Sequence, residues 1–61
     1  MPWTHSDYPV SLKNLSETTR NKAIEIANAL LEQGYDDGQA IAIATAKAEE
    51  WSENRNIPIK E

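Results

Sequence analysis

Apolar side chains recur at helical spacing in the region that follows Ser16. At about 100° per residue, one set of them shares an arc of about 160°, whereas polar residues such as Asn21 and Asn28 fall outside it. The members of this set are Ala23, Ile24, Ile26, Ala27, Leu30 and Leu31. Ser16 is a favourable N-cap, and Gly34 suits the left-handed conformation that commonly follows a helix. The pattern predicts a first long helix over residues 17–33.

A second apolar stripe predicts another helix over residues 38–53. Its members fall within about 100° of one another on a helical wheel, and they are Ala40, Ile41, Ala44, Ala48 and Trp51. Asp36 can cap this helix, with Gln39 three residues later completing a capping box. Alanine alternates over residues 40–48, but it is a poor strand former, and its small side chain would let two helices approach closely.

The two ends of the chain have no helical period. Pro9 fits the start of a short helix, which we predict near residues 9–14. Pro58 stops helix formation, so the tail over residues 54–61 should be extended and frayed at its end. A connection of about four residues makes the long helices antiparallel. The sequence therefore predicts a mainly α fold, a single small domain over residues 1–61 in which extended termini pack across a helical hairpin.

A chain of 61 residues must use nearly every large apolar side chain for its core. Domains of this size bury only about 60% of their unfolded surface, so burial barely offsets the conformational entropy of folding. We therefore expect Val10 and Leu30 to be buried, and we favour core positions for Trp3, Tyr8 and Tyr35. If those three aromatic side chains were exposed instead, they would form a partner-binding patch.

Composition excludes several kinds of site and of protein. The chain has no cysteine and one histidine, so it holds no disulfide and no cysteine- or histidine-rich zinc site of its own. No apolar run approaches the roughly 20 residues that span a bilayer, and the N-terminus lacks the features of a secretory signal. We expect a soluble cytoplasmic protein without a membrane span, either a monomer or a weak homodimer.

No constellation of residues predicts catalysis or metal binding. His5 and Asp7 form a histidine–carboxylate pair without a nucleophile or further ligands nearby, and a solvated loop histidine is the simpler interpretation. Asp36, Asp37 and Gly38 resemble half of a calcium loop but lack its later ligands, so a cap and a turn explain them. We predict a protein that is not an enzyme and that has no catalytic residues, no metal and no cofactor.

The net charge of −4 disfavours broad contact with nucleic-acid backbone or anionic lipid. Two helices with a short connection are nevertheless the outline of a helix-turn-helix, which leaves a nucleic-acid-binding domain as the alternative function. A reading helix normally supplies base donors and phosphate partners. The second helix begins instead with Asp36, Asp37 and Gln39, and has no Lys or Arg before Lys47.

Acidic residues crowd the end of the second helix, where they oppose the helix dipole and repel one another. Solubility is the simpler explanation of such a cluster. The sharper hypothesis is that it meets a basic partner surface, with electrostatics setting the association rate. Together with the three aromatic side chains, the candidate partner-binding residues are Glu49, Glu50, Glu53, Trp3, Tyr8 and Tyr35.

The N-terminal region resembles that of the ChaB family. The residues that carry this likeness are Met1, Pro2, Trp3, Asp7, Tyr8, Pro9, Ser11, Lys13 and Leu15. The run over residues 1–51 is more similar still to a group of small uncharacterised bacterial proteins, in some of which this block is fused to a second small domain. Features shared with that group include Ala23-Ile24, Gly34-Tyr35 and Ala44-Thr45 before Trp51.

The resemblance implies a role through a partner. The ChaB family is named for the regulation of a cation transport protein, which implies a soluble binding protein rather than a catalyst, and it brings no catalytic residues to carry over. The function we predict is a small, soluble, non-catalytic protein-interaction or regulatory module with an unidentified protein partner.

Overall fold

The computed structural model describes residues 3–60. A single 3₁₀ turn at Val10–Leu12 precedes two long helices, α1 at Glu17–Glu32 and α2 at Asp37–Asn54. Within residues 3–60 there is no strand, only two isolated bridges. The predicted helical hairpin is confirmed, because both long helices begin and end within one residue of their predicted bounds. The N-terminal residues that resemble the ChaB family include Met1 and Pro2, and the predicted tail includes Glu61. These three residues lie outside the described residues.

Side-chain caps set where both helices begin, as the sequence predicts. The Ser16 hydroxyl accepts a hydrogen bond from the Thr19 backbone N–H at 3.3 Å. The Asp36 carboxylate accepts one from the Gln39 backbone N–H at 2.8 Å. Each cap satisfies a backbone donor that has no partner inside its helix, so each helix has a defined first residue.

Left-handed residues end both helices. Gly34, with a φ of 99°, follows α1, and the Tyr35 backbone N–H reaches back to the Leu30 carbonyl at 3.1 Å. Asn56, with a φ of 57°, follows α2, and the Ile57 N–H reaches the Ser52 carbonyl at 2.9 Å. Both ends are Schellman motifs, one with glycine and one with asparagine at the left-handed position.

Alanines form the seam between α1 and α2. Five of them have no exposed surface at all, and we call them the alanine seam: Ala23, Ala27, Ala40, Ala44 and Ala48. A hydrogen bond of 2.6 Å between the hydroxyls of Thr19 and Ser52 fixes the antiparallel register. Because the distance between packed helices depends on the side chains at the contact, alanines permit a close approach and leave larger apolar residues at the margins of the seam.

The termini pack across one side of this hairpin, as predicted. Leu12, Leu15 and Ile24 form a buried cluster with two alanines of the seam. Half-buried side chains of both termini pack against that cluster, and these include Trp3, Tyr8 and Ile59. The Ser16 N–H also donates to the Ile59 carbonyl at 2.8 Å, which holds the tail against the start of α1.

Several expectations about burial are wrong. Val10 is 82% exposed, because it opens the 3₁₀ turn whose inward-facing residue is Leu12. That turn is itself shorter than predicted, since Pro9 is extended. Tyr35 is 40% exposed, because it follows the left-handed turn and lies at the bend beyond the core. Leu30 is half-buried rather than buried.

Three polar side chains lie in the interior. Thr19 and Ser52 are fully buried, and Asn28 is 2% exposed although the helical wheel places it outside the apolar arc. All three make hydrogen bonds between distant parts of the chain. Buried polar groups are tolerated when such bonds are made.

Candidate partner-binding site

An open groove of about 870 Å³ lies beside α1. The N-terminal segment forms one wall, from Trp3 through the turn at residues 4–6, and Trp51 of α2 lies at the other side. Ile24 lines it together with polar side chains of α1, among them Asn21. The volume falls within the roughly 300–1,000 Å³ typical of ligand pockets, although this groove is open to solvent.

Asn28 fixes the wall that the N-terminal segment forms. Its side-chain amide donates to the Trp3 carbonyl at 2.9 Å, and its carbonyl oxygen accepts from the Trp3 backbone N–H at 3.2 Å. The segment then closes on itself, because Thr4 and Asp7 exchange two backbone hydrogen bonds of 2.9 and 3.2 Å. A buried side chain of α1 therefore binds a passing main chain as a neighbouring strand would.

Two cations lie over the ring of Trp51. The Lys22 amine is 5.2 Å from the ring centroid and the Arg55 guanidinium is 4.6 Å from it, both within the range of cation–π attraction. Lys22 also pairs with Glu25 at 3.4 Å on the helix surface. No other carboxylate among residues 3–60 forms an ion pair with Lys22 or Arg55. Two cations therefore contact Trp51 directly, and of these Lys22 lines the groove together with its partner Glu25.

Trp3 and Trp51 border the same groove at different positions along the axis of α1. Trp3 is held at Asn28, and Trp51 lies beneath Lys22, six residues earlier in the helix. At 1.5 Å per residue, the two attachment points are about 9 Å apart along the helix axis. Both indoles are half-buried, so each keeps surface for a ligand.

Tyr8 belongs to the packing of the fold. It is half-buried against the core, and the Arg20 guanidinium lies 5.0 Å from its ring centroid. The same guanidinium donates to the Leu15 carbonyl at 2.9 Å. Tyr8 and Arg20 therefore brace the connection between the 3₁₀ turn and α1.

A chain of hydroxyls holds the tail to both long helices. The Ser16 hydroxyl donates to the Pro58 carbonyl at 2.6 Å and lies 2.9 Å from the Thr19 hydroxyl. Thr19 in turn contacts the buried Ser52 hydroxyl. Spacing could have found this cluster, because Thr19 precedes Ala23, and Ser52 follows Ala48, by one helical turn on the buried face.

The structure does not bring the six predicted site residues together. Trp3 lines the groove, Tyr8 packs against the core, and Tyr35 lies at the bend. The three glutamates stay on the last turns of α2, where Glu49 is half-buried while Glu50 and Glu53 are exposed. Sequence reasoning missed the second wall of the groove. That wall is formed by Trp51. The sequence signal for a role of this tryptophan beyond the core was Arg55, a basic residue one helical turn later that can lie over its ring.

The histidine and carboxylate side chains of the described residues form no cluster suited to a metal. Across residues 3–60, no group of three or more His, Asp or Glu side chains is placed to hold a metal ion. Asp36 is the cap of α2, which accounts for its position in the connection. Neither long helix is apolar enough over a sufficient length to cross a bilayer, as judged on the described part of the chain.

Comparison with known proteins finds a similar curated protein that is itself uncharacterised. An uncharacterised protein of Bacillus subtilis (strain 168), YdaT, is 61% identical over 54 residues, which cover 88% of this chain and 36% of the relative. The chain therefore spans about a third of the length of the curated relative that it matches. No protein-family model matches the chain. No solved structure matches it either.

Proposed function

We propose that this chain is a small, soluble, non-catalytic module that binds another protein, with a regulatory role. The observation that carries the proposal is the groove bordered by two half-buried tryptophans, Trp3 and Trp51. A small domain gains most by burying its largest side chains, and here both indoles keep exposed surface in the same groove. Tryptophan is enriched among the residues that dominate binding energy at protein interfaces.

The acidic end of α2 is a second surface in this proposal. Glu50 and Glu53 are exposed and Glu49 is half-buried, in the last turns of a helix that they do not stabilise. A basic partner surface would be attracted to these charges, and the attraction would weaken with salt. We propose that Glu49, Glu50 and Glu53 steer association, while the groove supplies contact area.

The biological role that we propose follows the resemblance to the ChaB family. The chain would act in the cytoplasm as the regulatory partner of another protein, in the manner for which that family is named. This role is supported by the residues, before and within the two helices, that resemble the ChaB family and the related small bacterial proteins. The resemblance says nothing about the geometry of the groove.

Capture of a partner from a bacterial lysate tests the proposal. The immobilised chain should retain a protein that the variant Glu49→Gln/Glu50→Gln/Glu53→Gln loses, and moderate salt should weaken retention by the parent chain. A matched control removes the same number of charges elsewhere, by Asp7→Asn/Glu17→Gln/Glu32→Gln, and should retain the partner. An identical set of captured proteins for all three chains would contradict a role for the α2 cluster.

Nucleic-acid binding is the competing function that the same protein can test. The first turn of α2 carries Asp36 and Asp37, whose charges repel phosphate. A labelled duplex of mixed sequence, titrated at low salt, should not bind at micromolar protein. Salt-sensitive micromolar binding would favour the helix-turn-helix interpretation and overturn the protein-interaction module.

A further inference from the structure

One end of the groove already binds an extended main chain. Asn28 makes two reciprocal hydrogen bonds with the backbone of Trp3, at 2.9 and 3.2 Å. A side-chain amide carries the same donor and acceptor as a peptide group, so it can pair with any residue whose backbone passes in an extended conformation. Such a contact recognises the backbone of the bound residue and does not depend on the side chain of that residue.

A second amide faces the same groove without such a partner. Asn21 lines the groove and is half-buried, and its side chain makes no hydrogen bond to any described residue. Seven residues separate it from Asn28, which places the two on one face of α1 about 10.5 Å apart. The chain's own segment turns back on itself at residues 4–7 instead of continuing along the helix.

Extended chain fits this spacing. At about 3.3 Å per residue, main-chain groups three residues apart are about 10 Å from each other. The groove also offers apolar contacts for the side chains of such a segment, from Ile24, Trp3 and Trp51. Asn21 precedes Lys22, the residue over Trp51, so a segment that passed Asn21 would also pass the Trp51 indole.

Charge limits which side chains the segment carries. Arg55 and Lys22 lie over Trp51, and no carboxylate among the described residues pairs with Arg55. Lys22 pairs only with Glu25, whose side chain is 71% exposed. Exposed pairs of this kind are weak, so an incoming carboxylate can compete for the amine. A lysine or arginine of the segment would meet two like charges instead.

We propose that the groove binds an extended segment of a partner protein, whose main chain pairs with Asn21 and which carries one carboxylate side chain near Trp51. The proposal rests on the proposed interaction function and specifies the chemistry of its partner. The segment would contact Arg55 and Lys22 with that carboxylate and would place apolar side chains against Ile24 and the two indoles.

A library of blocked peptides tests this specificity. Each peptide has about ten residues, enough to exceed the groove in extended form, with one position fixed as Glu, Lys or Ser and the others randomised. The full chain, labelled at its N-terminus, should bind the Glu peptides about tenfold more tightly than the Lys peptides at one fixed position. Equal binding of the Glu, Lys and Ser peptides at every position would overturn the carboxylate assignment.

Main-chain recognition is tested with the best Glu peptide of that library. Asn21→Ala should weaken its binding about tenfold, while the control Asn54→Ala, at an exposed position at the end of α2, should not. N-methylation of the peptide residue that Asn21 contacts should weaken binding to the parent chain and leave binding to Asn21→Ala unchanged. Additive losses from the two changes would show that Asn21 does not contact that N–H.

Arg55→Gln should remove the preference for Glu over Lys, and the control Lys13→Gln should preserve it. Unchanged helical circular dichroism and melting temperature establish that each variant is folded. Retention of a lysate partner by Asn21→Ala and by Arg55→Gln, together with no peptide binding, would overturn this inference while leaving the interaction module intact. Failure to capture any partner would instead count against the module itself.

Discussion

The two ends of the helical hairpin are built by different kinds of interaction. At the bend, contacts local in sequence are sufficient: Gly34 ends α1, Asp36 caps α2, and each acts within a few residues. Elsewhere, contacts join residues that are far apart in sequence. At the terminal end, where α1 begins and α2 ends, the Ser52 hydroxyl reaches Thr19. Along α1 and nearer the bend, Asn28 holds Trp3. The groove lies along α1 between these long-range contacts, which therefore both close the fold and shape its candidate site.

The largest expected effect separates a fully buried leucine of the long-range cluster from a half-buried leucine of α1 near the bend. Leu12 is 1% exposed, so Leu12→Ala should cost about 2–5 kcal/mol of unfolding free energy. Leu30 is half-buried, and Leu30→Ala should cost about 1–2 kcal/mol. Urea denaturation followed by circular dichroism measures both. A cost for Leu30→Ala equal to that for Leu12→Ala would show that the two positions contribute alike.

Removing the amide of Asn28 should detach the N-terminal wall of the groove. Asn28→Ala deletes two hydrogen bonds to Trp3, and we expect a loss of about 2 kcal/mol. The same change should expose the Trp3 indole, which acrylamide quenching of tryptophan fluorescence detects. The control Asn54→Ala should leave both quantities near their parent values. Unchanged quenching in Asn28→Ala would mean that packing alone holds the segment.

The hydroxyl chain at the terminal end should contribute less than Asn28. Ser52→Ala removes the partner of Thr19 in a fully buried contact, at a cost of about 1–1.5 kcal/mol. The control Thr45→Ala removes only a bond to the Ile41 carbonyl within α2 and should cost less. Thermal unfolding compares the two variants. Equal costs would indicate that the contact between the helices adds nothing beyond a local bond.

The smallest effects should come from the left-handed residues that end the two helices. Gly34 has open space around the position of a Cβ, so Gly34→Ala should cost about 1 kcal/mol through backbone strain alone. Asn56→Gly should instead raise stability by about 0.5 kcal/mol, because glycine adopts a positive φ more readily than asparagine. Melting temperatures that move in the same direction for both variants would contradict this difference.

The comparison of the two ends also explains what the sequence could predict. Ser16, Asp36 and Gly34 interact with residues close to them in sequence. Local patterns therefore predict the caps, the helix bounds and the bend, and these predictions are confirmed. The burial of Asn28 depends on where the N-terminal segment lies, which no periodicity of α1 encodes. A helical wheel therefore placed this asparagine on the polar face.

The candidate site was predictable only in part for the same reason. The sequence identifies Trp3 as a large aromatic residue outside the helical stripes. That Trp3 and Trp51 line the same groove depends on the Asn28 contact and on the antiparallel register of the helices. Tyr35 and Val10 were expected in the core because a small domain needs apolar burial. The alanine seam meets part of that need with small side chains, so some large ones remain exposed.

The most direct test of the groove as the binding surface is a titration of the ¹⁵N-labelled full chain with the best Glu peptide, monitored by heteronuclear NMR. We expect the indole N–H signals of Trp3 and Trp51 and the side-chain amide signal of Asn21 to shift together with one dissociation constant. The backbone signals of Gly34 and Gly38, at the bend, should stay in place. Shifts concentrated at the bend, or binding that leaves the Trp51 indole unmoved, would contradict the assignment of the groove as the binding surface.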